Sequence, residues 1–307
     1  MKFPIIAKIL RRLRGPLHRA RAGAGLLPVV QGKQRARLGV YVAYFNASEI
    51  FDIHLAAFSR FTSGEFNYYV MRNCSSANEA GKFDAIAAGH RFPVVFKPWP
   101  ELMPLSHWES LQRMINQTED EIIVLCDVDA FPVQAGWDDH ILRELKDKDA
   151  VGVIGHAPTR SQFKFFLHPC FLAFRRDLLK LNDLDLSVSE DNDPAWQITR
   201  WLMANGRFNP RHVAPLLPTA HEKELFAHRC HEPRFGSSNL NHGFGTTYGG
   251  FVFHLWFWSS VLRRTPVKDF EGRTIVTAEE MDEVLTRLQQ NFAPLKSSHA
   301  QSSRPEA

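Results

Sequence analysis

The chain has 307 residues, 44% hydrophobic and 23% charged, an ordinary globular composition that accommodates one α/β catalytic domain with extensions. Its formal charge of +4 is unevenly placed: ten Lys and Arg residues crowd the first 37 positions with no acidic residue among them. The remainder is slightly acidic, so nucleic-acid binding by the body is not expected. Cys74, Cys126, Cys170 and Cys230 lie far apart without a CxxC pair, which signals neither a zinc knuckle nor a disulfide framework and fits a reducing cytosol.

In chain order, the basic N-terminal arm, residues 1–37, comes first. Its apolar stretches Phe3–Leu10 and Leu26–Val30 fall far short of the roughly 20 residues of a membrane span. Arg11, Arg12 and Arg14 interrupt the apolar run that a secretory signal requires. Residues 3–14 read as a short basic amphipathic segment suited to peripheral contact with anionic membrane on its cytoplasmic face. A disordered basic leader and an organellar transit peptide are the alternatives.

Leu38–Ala43 (LGVYVA) reads as a buried strand and Ile50–Phe61 as a helix. A second strand, 66–71, runs into a polar turn at Arg72–Ser76. Val94–Phe96 is a short strand, followed by a Pro-rich loop and a helix with Leu105, Trp108, Leu111, Met114 and Ile115 on one face. Glu121–Cys126 (EIIVLC) has the continuous apolar character of a central parallel strand and stops at Asp127-Val128-Asp129. A helix near 138–146 and strands at Ala150–Ile154 and Cys170–Phe174 continue the β/α alternation. Asp193-Pro194 opens a further helix, closed by Asn205-Gly206. A long loop over about 207–250 leads to the aromatic run FVFHLWFW at 251–258, and a capping box at Thr277–Glu280 starts a last helix. The expected organisation is a catalytic domain over 38–265, a helical extension over 266–295 and a disordered tail over 296–307.

In open parallel α/β sheets ligands bind beyond the carboxyl ends of the strands. Two carboxylates one residue apart at such an end, Asp127 and Asp129, can jointly face a hard divalent cation, which in turn neutralises a nucleotide diphosphate. Burying adjacent charges without such a partner is costly.

Residues 38–258 resemble bacterial glycosyltransferases of the GT-A fold, especially the family 2-like group. The resemblance is carried by VYVAYFN (40–46), YYVMRNCSS (68–76), IIVLCDVDAFP (122–132), SEDNDPAWQITRWLMANG (189–206) and FHLW (253–256). It implies an α/β fold with a mostly parallel central sheet flanked by helices, and transfer of a sugar from a nucleotide-diphosphate donor to a glycan or lipid-linked acceptor. It further implies that Asp127 and Asp129 hold Mn²⁺ or Mg²⁺ and the donor diphosphate, with His254 completing the metal shell. A histidine satisfied within the aromatic core is the competing reading of His254. Asn46 and Asn73 would help to hold the nucleoside, Asn73 standing where many relatives have Asp.

Transfer with inversion requires a base for the acceptor hydroxyl. Asp193 is the first candidate and Asp191 the second, although Asp193 equally suits the N-cap of the Pro194 helix; retaining chemistry stays open. Four other classes fit less well. A haloacid dehalogenase-type phosphatase expects Thr or Val where Phe131 stands. A sugar nucleotidyltransferase expects a Gly-rich loop that VAYFNASEIF lacks. A Y-family polymerase expects a basic body and an early acidic strand. A non-catalytic glycan-binding protein with a degenerate site is the fourth. The cluster of His221, His228, Cys230, His231 and His242 lacks standard zinc spacing.

Overall fold

The protein is seen in a computed structural model that describes residues 37–90, 92–156, 165–186, 196–221, 245–255, 267–268, 274–276 and 286. The chain begins with β1 (Leu38–Phe45), α1 (Ser48–Phe61), β2 (Phe66–Asn73), α2 (Ala77–Ala88) and β3 (Pro93–Phe96). It continues with α3 (His107–Asn116), β4 (Ile122–Cys126), β5 (Ala130–Pro132), α4 (Trp137–Glu144), β6 (Ala150–His156) and β7 (Phe165–Arg175). Next come α5 (Arg176–Leu181), α6 (Trp196–Ala204), β8 (Val213–Leu216) and β9 (Pro218–His221). The last described strands are β10 (Gly245–Tyr248), β11 (Val252–Leu255), β12 (Val267–Lys268) and β13 (Thr274–Val276).

A seven-stranded sheet in the order β3-β2-β1-β4-β7-β6-β8 forms the centre. All neighbours are parallel except that β7 runs against both β4 and β6. Strict alternation places Val40, Val42, Ile122, Val124, Cys126, Phe171 and Ala173 on one face, packed with Ile50, Phe51 and Phe58 of α1, Phe83 of α2 and Ile141 of α4. Tyr41, Ile123, Leu125, Leu172 and Phe174 face the other way, onto Leu111 and Met114 of α3, Leu178 of α5 and Ile198 and Leu202 of α6. Both faces of the sheet are thus covered, the arrangement that continuous apolar strands require. This is the mostly parallel α/β architecture flanked by helices that the resemblance implies.

A buried polar network closes the amino edge of the sheet. Tyr41 donates to Asp120 Oδ2 at 2.6 Å, Asn67 donates to Oδ1 at 2.6 Å, and the Arg176 guanidinium donates to the carbonyls of Asp120 and Ile115. Gly39 stands beside it because a Cβ there would lie 2.7 Å from the Asp120 carboxylate.

Three features depart from the sequence reading. The polar turn expected from Arg72 is the end of β2, which runs to Asn73. α2 begins under Ser76, whose hydroxyl accepts from the Glu79 amide, a cap too short to register against the polar stretch around it. The long loop expected over 207–250 contains β8, β9 and β10. Its Thr and Pro residues make strands by pairing with distant partners rather than by apolar alternation. Of the segment 266–295, the antiparallel pair β12–β13 and helical Thr286 are described, and the rest, including the expected capping box at Thr277–Glu280, lies outside the described residues. The arm 1–36 and the tail 296–307 lie outside the described residues. No helix among those described is long and apolar enough to cross a membrane.

Candidate active site

β1, β2 and β4 are parallel, so their carboxyl ends reach one edge of the sheet together and bring Asn46, Asn73 and Asp127 with them. β4, all of whose residues are buried, ends where the chain tightens into a turn: the Asp127 amide donates to the Cys170 carbonyl on β7, and the Ala130 amide donates to the Asp127 carbonyl. β5 then leaves in a second sheet, of order β5-β11-β10-β9. Its antiparallel register sets His254 opposite Ala130, and the Leu255 amide donates to the Asp129 carbonyl. The β10–β11 hairpin that presents His254 turns through Gly249 and Gly250, both at positive φ (59° and 79°), where a side chain would be strained.

The result is a cluster of Asp127, Asp129 and His254 in which one potential ligand atom from each lies within 4.8 Å of the others. His254 Nε2 is 3.7 Å from Asp129 Oδ1. The two side chains of the DxD pair are mostly buried, at 22% and 14% exposed. Their electrostatics differ. Burial raises the carboxyl of Asp127, but the neighbouring His107, His168 and His254 outweigh it and hold the group at about 2. Asp129 is pushed well above the ordinary carboxylate range, by burial first and then by the charge of Asp127. The Asp127 charge is thus favoured by its imidazole neighbours, whereas burial and Asp127 together oppose ionisation of Asp129.

Two carboxylates suit Mn²⁺ or Mg²⁺, with an added imidazole favouring Mn²⁺ of the two, and a bound cation would favour the ionised form of Asp129 that burial and Asp127 oppose. The residues fit the ion that the resemblance implies. His254 also keeps some core character, its ring being 7% exposed on β11.

Three histidines that the sequence reading did not single out converge on the same turn. His107, the first residue of α3, places Nε2 3.2 Å from Asp127 Oδ1. Its signal was the capping box of Ser106 and Glu109, which marks a helix start between two parallel strands and hence at the carboxyl edge. His168 on β7 lies with its ring 5.8 Å from that of His254, and its Nδ1 accepts from the Cys170 amide at 3.1 Å. His54 on α1 is fully buried beneath Val128, with Nδ1 3.0 Å from the Val128 carbonyl oxygen. No local pattern distinguishes these last two from core residues.

The remaining predicted residues are placed as follows. Asn46, at φ 43° after β1, donates to Ser75 Oγ at 2.6 Å and accepts from the Ser75 amide at 3.1 Å, which ties the ends of β1 and β2 together. Asn73 is 2% exposed; its amide donates to Ser110 Oγ and its carbonyl accepts from the Leu105 amide. It therefore organises the loop before α3. Arg72 fixes the same loop through Glu101 and grips Asp84 of α2. Asp191 and Asp193 lie outside the described residues, as do His228, Cys230, His231 and His242.

No family model and no curated protein matches the chain. Among solved structures it is similar to mannosyltransferase PcManGT from Pyrobaculum calidifontis in complex with GDP-Man and Mn²⁺, at 13% identity over 98% of this chain and 87% of that one (TM-score 0.46). It is similar to S. aureus TarS 1–349 in complex with UDP-GlcNAc at 15% identity, over 51% of this chain and 51% of that one (TM-score 0.40). It is also similar to a 4-diphosphocytidyl-2C-methyl-D-erythritol synthase from Anaerococcus prevotii, at 10% identity over 59% of this chain and 86% of that one (TM-score 0.39). Scores of this size leave the strand order and the acidic cluster to carry the functional reading.

Proposed function

We propose that the protein is a metal-assisted glycosyltransferase that takes a sugar from a nucleotide-diphosphate donor and gives it to a glycan or lipid-linked acceptor. The observation that supports this reading is the convergence of Asp127, Asp129 and His254 within 4.8 Å at the carboxyl edge of a parallel sheet. A phosphatase of the haloacid dehalogenase type would use the first Asp as nucleophile, whereas here Asp127 is engaged by His107 at 3.2 Å and grouped with Asp129 and His254.

Asp127, Asp129 and His254 would hold Mn²⁺ or Mg²⁺, which when bound neutralises charge on the leaving diphosphate. The protein residues do the rest. His107, at the amino end of α3, keeps the Asp127 carboxylate oriented and adds a donor on the side from which an anionic donor approaches. Asn46 and Asn73 shape the nucleoside pocket by fixing the ends of β1 and β2 and the loop before α3. Asp193, with Asp191 as the second choice, accepts the proton of the acceptor hydroxyl as the new glycosidic bond forms and the diphosphate departs. Residues 3–14 would rest on anionic membrane at its cytoplasmic face, where lipid-linked acceptors of envelope polysaccharide synthesis are presented.

The test is calorimetric titration of the protein with UDP, GDP, CDP and dTDP in the presence and absence of Mn²⁺. Metal-dependent binding of one of them, lost in Asp127→Ala/Asp129→Ala, supports the reading. Binding of none removes it. Asp193→Asn and Asp191→Asn then separate base from cap: loss of turnover with donor binding retained identifies the base.

A further inference from the structure

Three backbone carbonyls of the turn that carries the DxD pair each have a different partner. The Asp127 carbonyl is held by the Ala130 amide within the turn, and the Asp129 carbonyl by the Leu255 amide of β11. The Val128 carbonyl, which lies between the two ligating side chains, is met by Nδ1 of His54 at 3.0 Å, from a helix 74 residues away in sequence.

Packing alone does not explain a histidine here. Position 54 is fully buried among Phe51, Phe58, Tyr68 and Phe131, with ring centroids 4.8–6.5 Å away. The other ring nitrogen, Nε2, has no hydrogen-bond partner among the described residues. A buried polar atom without a partner opposes folding, and an apolar side chain of similar volume would avoid that penalty. What an apolar side chain cannot do is hold the Val128 carbonyl. The Val128 carbonyl belongs to the peptide that joins Val128 to Asp129, so rotation of that peptide would swing the Asp129 carboxylate relative to Asp127, one residue earlier.

We propose that His54 is a positioning residue for the metal site: Nδ1–H donates to the Val128 carbonyl and fixes the peptide whose orientation sets the separation of the Asp127 and Asp129 carboxylates. This rests on the metal-binding reading of that pair. The two covering layers of the sheet then share the task. α3 steadies the Asp127 side chain through His107, and α1 steadies the backbone between the ligands through His54.

Asparagine can place its amide Nδ2 where histidine has Nδ1, while leucine fills the site and donates nothing. The experiment compares wild type, His54→Asn and His54→Leu by Mn²⁺ titration, well below each variant's unfolding midpoint, with metal-free thermal unfolding measured in parallel. His54→Asn is expected to bind Mn²⁺ within about threefold of wild type, and His54→Leu about 10–100-fold more weakly. This order is the reverse of the one that apolar packing alone would give. Equal affinities in all three proteins, or an Asn variant as weak as the Leu variant, would overturn the role of His54. Wild-type protein that fails to bind Mn²⁺ would instead overturn the metal reading itself and this role with it.

Discussion

Asp129→Asn should make the metal-free protein more stable while abolishing its response to metal. Asp127 and Asp129 offer oxygens within 4.8 Å of one another. At an effective dielectric near 20, two unit charges at that distance repel by about 3.5 kcal/mol. Part of this is already relieved, because burial and Asp127 push the Asp129 carboxyl well above its ordinary range and so favour its neutral form. A net gain of about 1–2 kcal/mol remains for the uncharged isostere, or about 3–6 °C in unfolding midpoint for a domain of this size. Asp127→Asn should bring no such gain, since Asp127 is held ionised by His107, His168 and His254. The pH dependence has a definite sign. A carboxyl whose folded value is raised stabilises the native state at low pH, and this contribution is lost as pH rises through the folded value. Metal-free wild type should therefore lose stability with rising pH in that window, and Asp129→Asn should not. Thermal unfolding in chelator and in Mn²⁺ reads both effects. An Asp129→Asn protein that is less stable than wild type without metal, or that is still stabilised by Mn²⁺, would refute the reasoning.

His54 makes an opposite pH prediction. Burial lowers its imidazole to about 3, so its contribution is complete above the unfolded value near 6.5 and is lost as pH falls toward 3, at about 1.4 kcal/mol per pH unit. The acid slope of wild type measured by denaturant titration should be steeper than that of His54→Asn. Gly245→Ala should act on the site through β11. A Cβ at Gly245 would collide with the Phe253 ring and lie 3.0 Å from the His254 carbonyl. Overpacking of this kind costs about 1–3 kcal/mol, and Mn²⁺ affinity should fall with the displacement of His254. Gly39→Ala meets the Asp120 carboxylate at 2.7 Å at the other edge of the sheet; it should destabilise comparably and leave Mn²⁺ affinity unchanged in the folded protein.

The sheet was legible in the sequence where burial is continuous. β1, β2, β4 and α1 declare themselves because both faces of the strands and one stripe of the helix are apolar. The antiparallel sense of β7 was not legible, since strand direction leaves no trace in local alternation. Nor were β8 to β10, whose polar and Pro-containing segments become strands only through their partners. At the site, Asp127 and Asp129 were visible because two charges directly follow an apolar strand. His254 came from the resemblance, and the β5–β11 register that brings it to Asp129 pairs it with Ala130, 124 residues (254 − 130) earlier in the chain. His54 escaped for the same reason, being ordinary within its own helix until the turn it meets is known, whereas His107 stood at a helix start that the Ser106–Glu109 capping box marks.

The most direct measurement is release of nucleoside diphosphate from UDP-, GDP- and dTDP-sugars by the purified protein with Mn²⁺, with excess chelator, and in Asp127→Ala/Asp129→Ala. Metal-dependent release from one nucleotide class, at least about 100-fold slower in the double variant, is expected. Release that survives both chelator and the double substitution would contradict it.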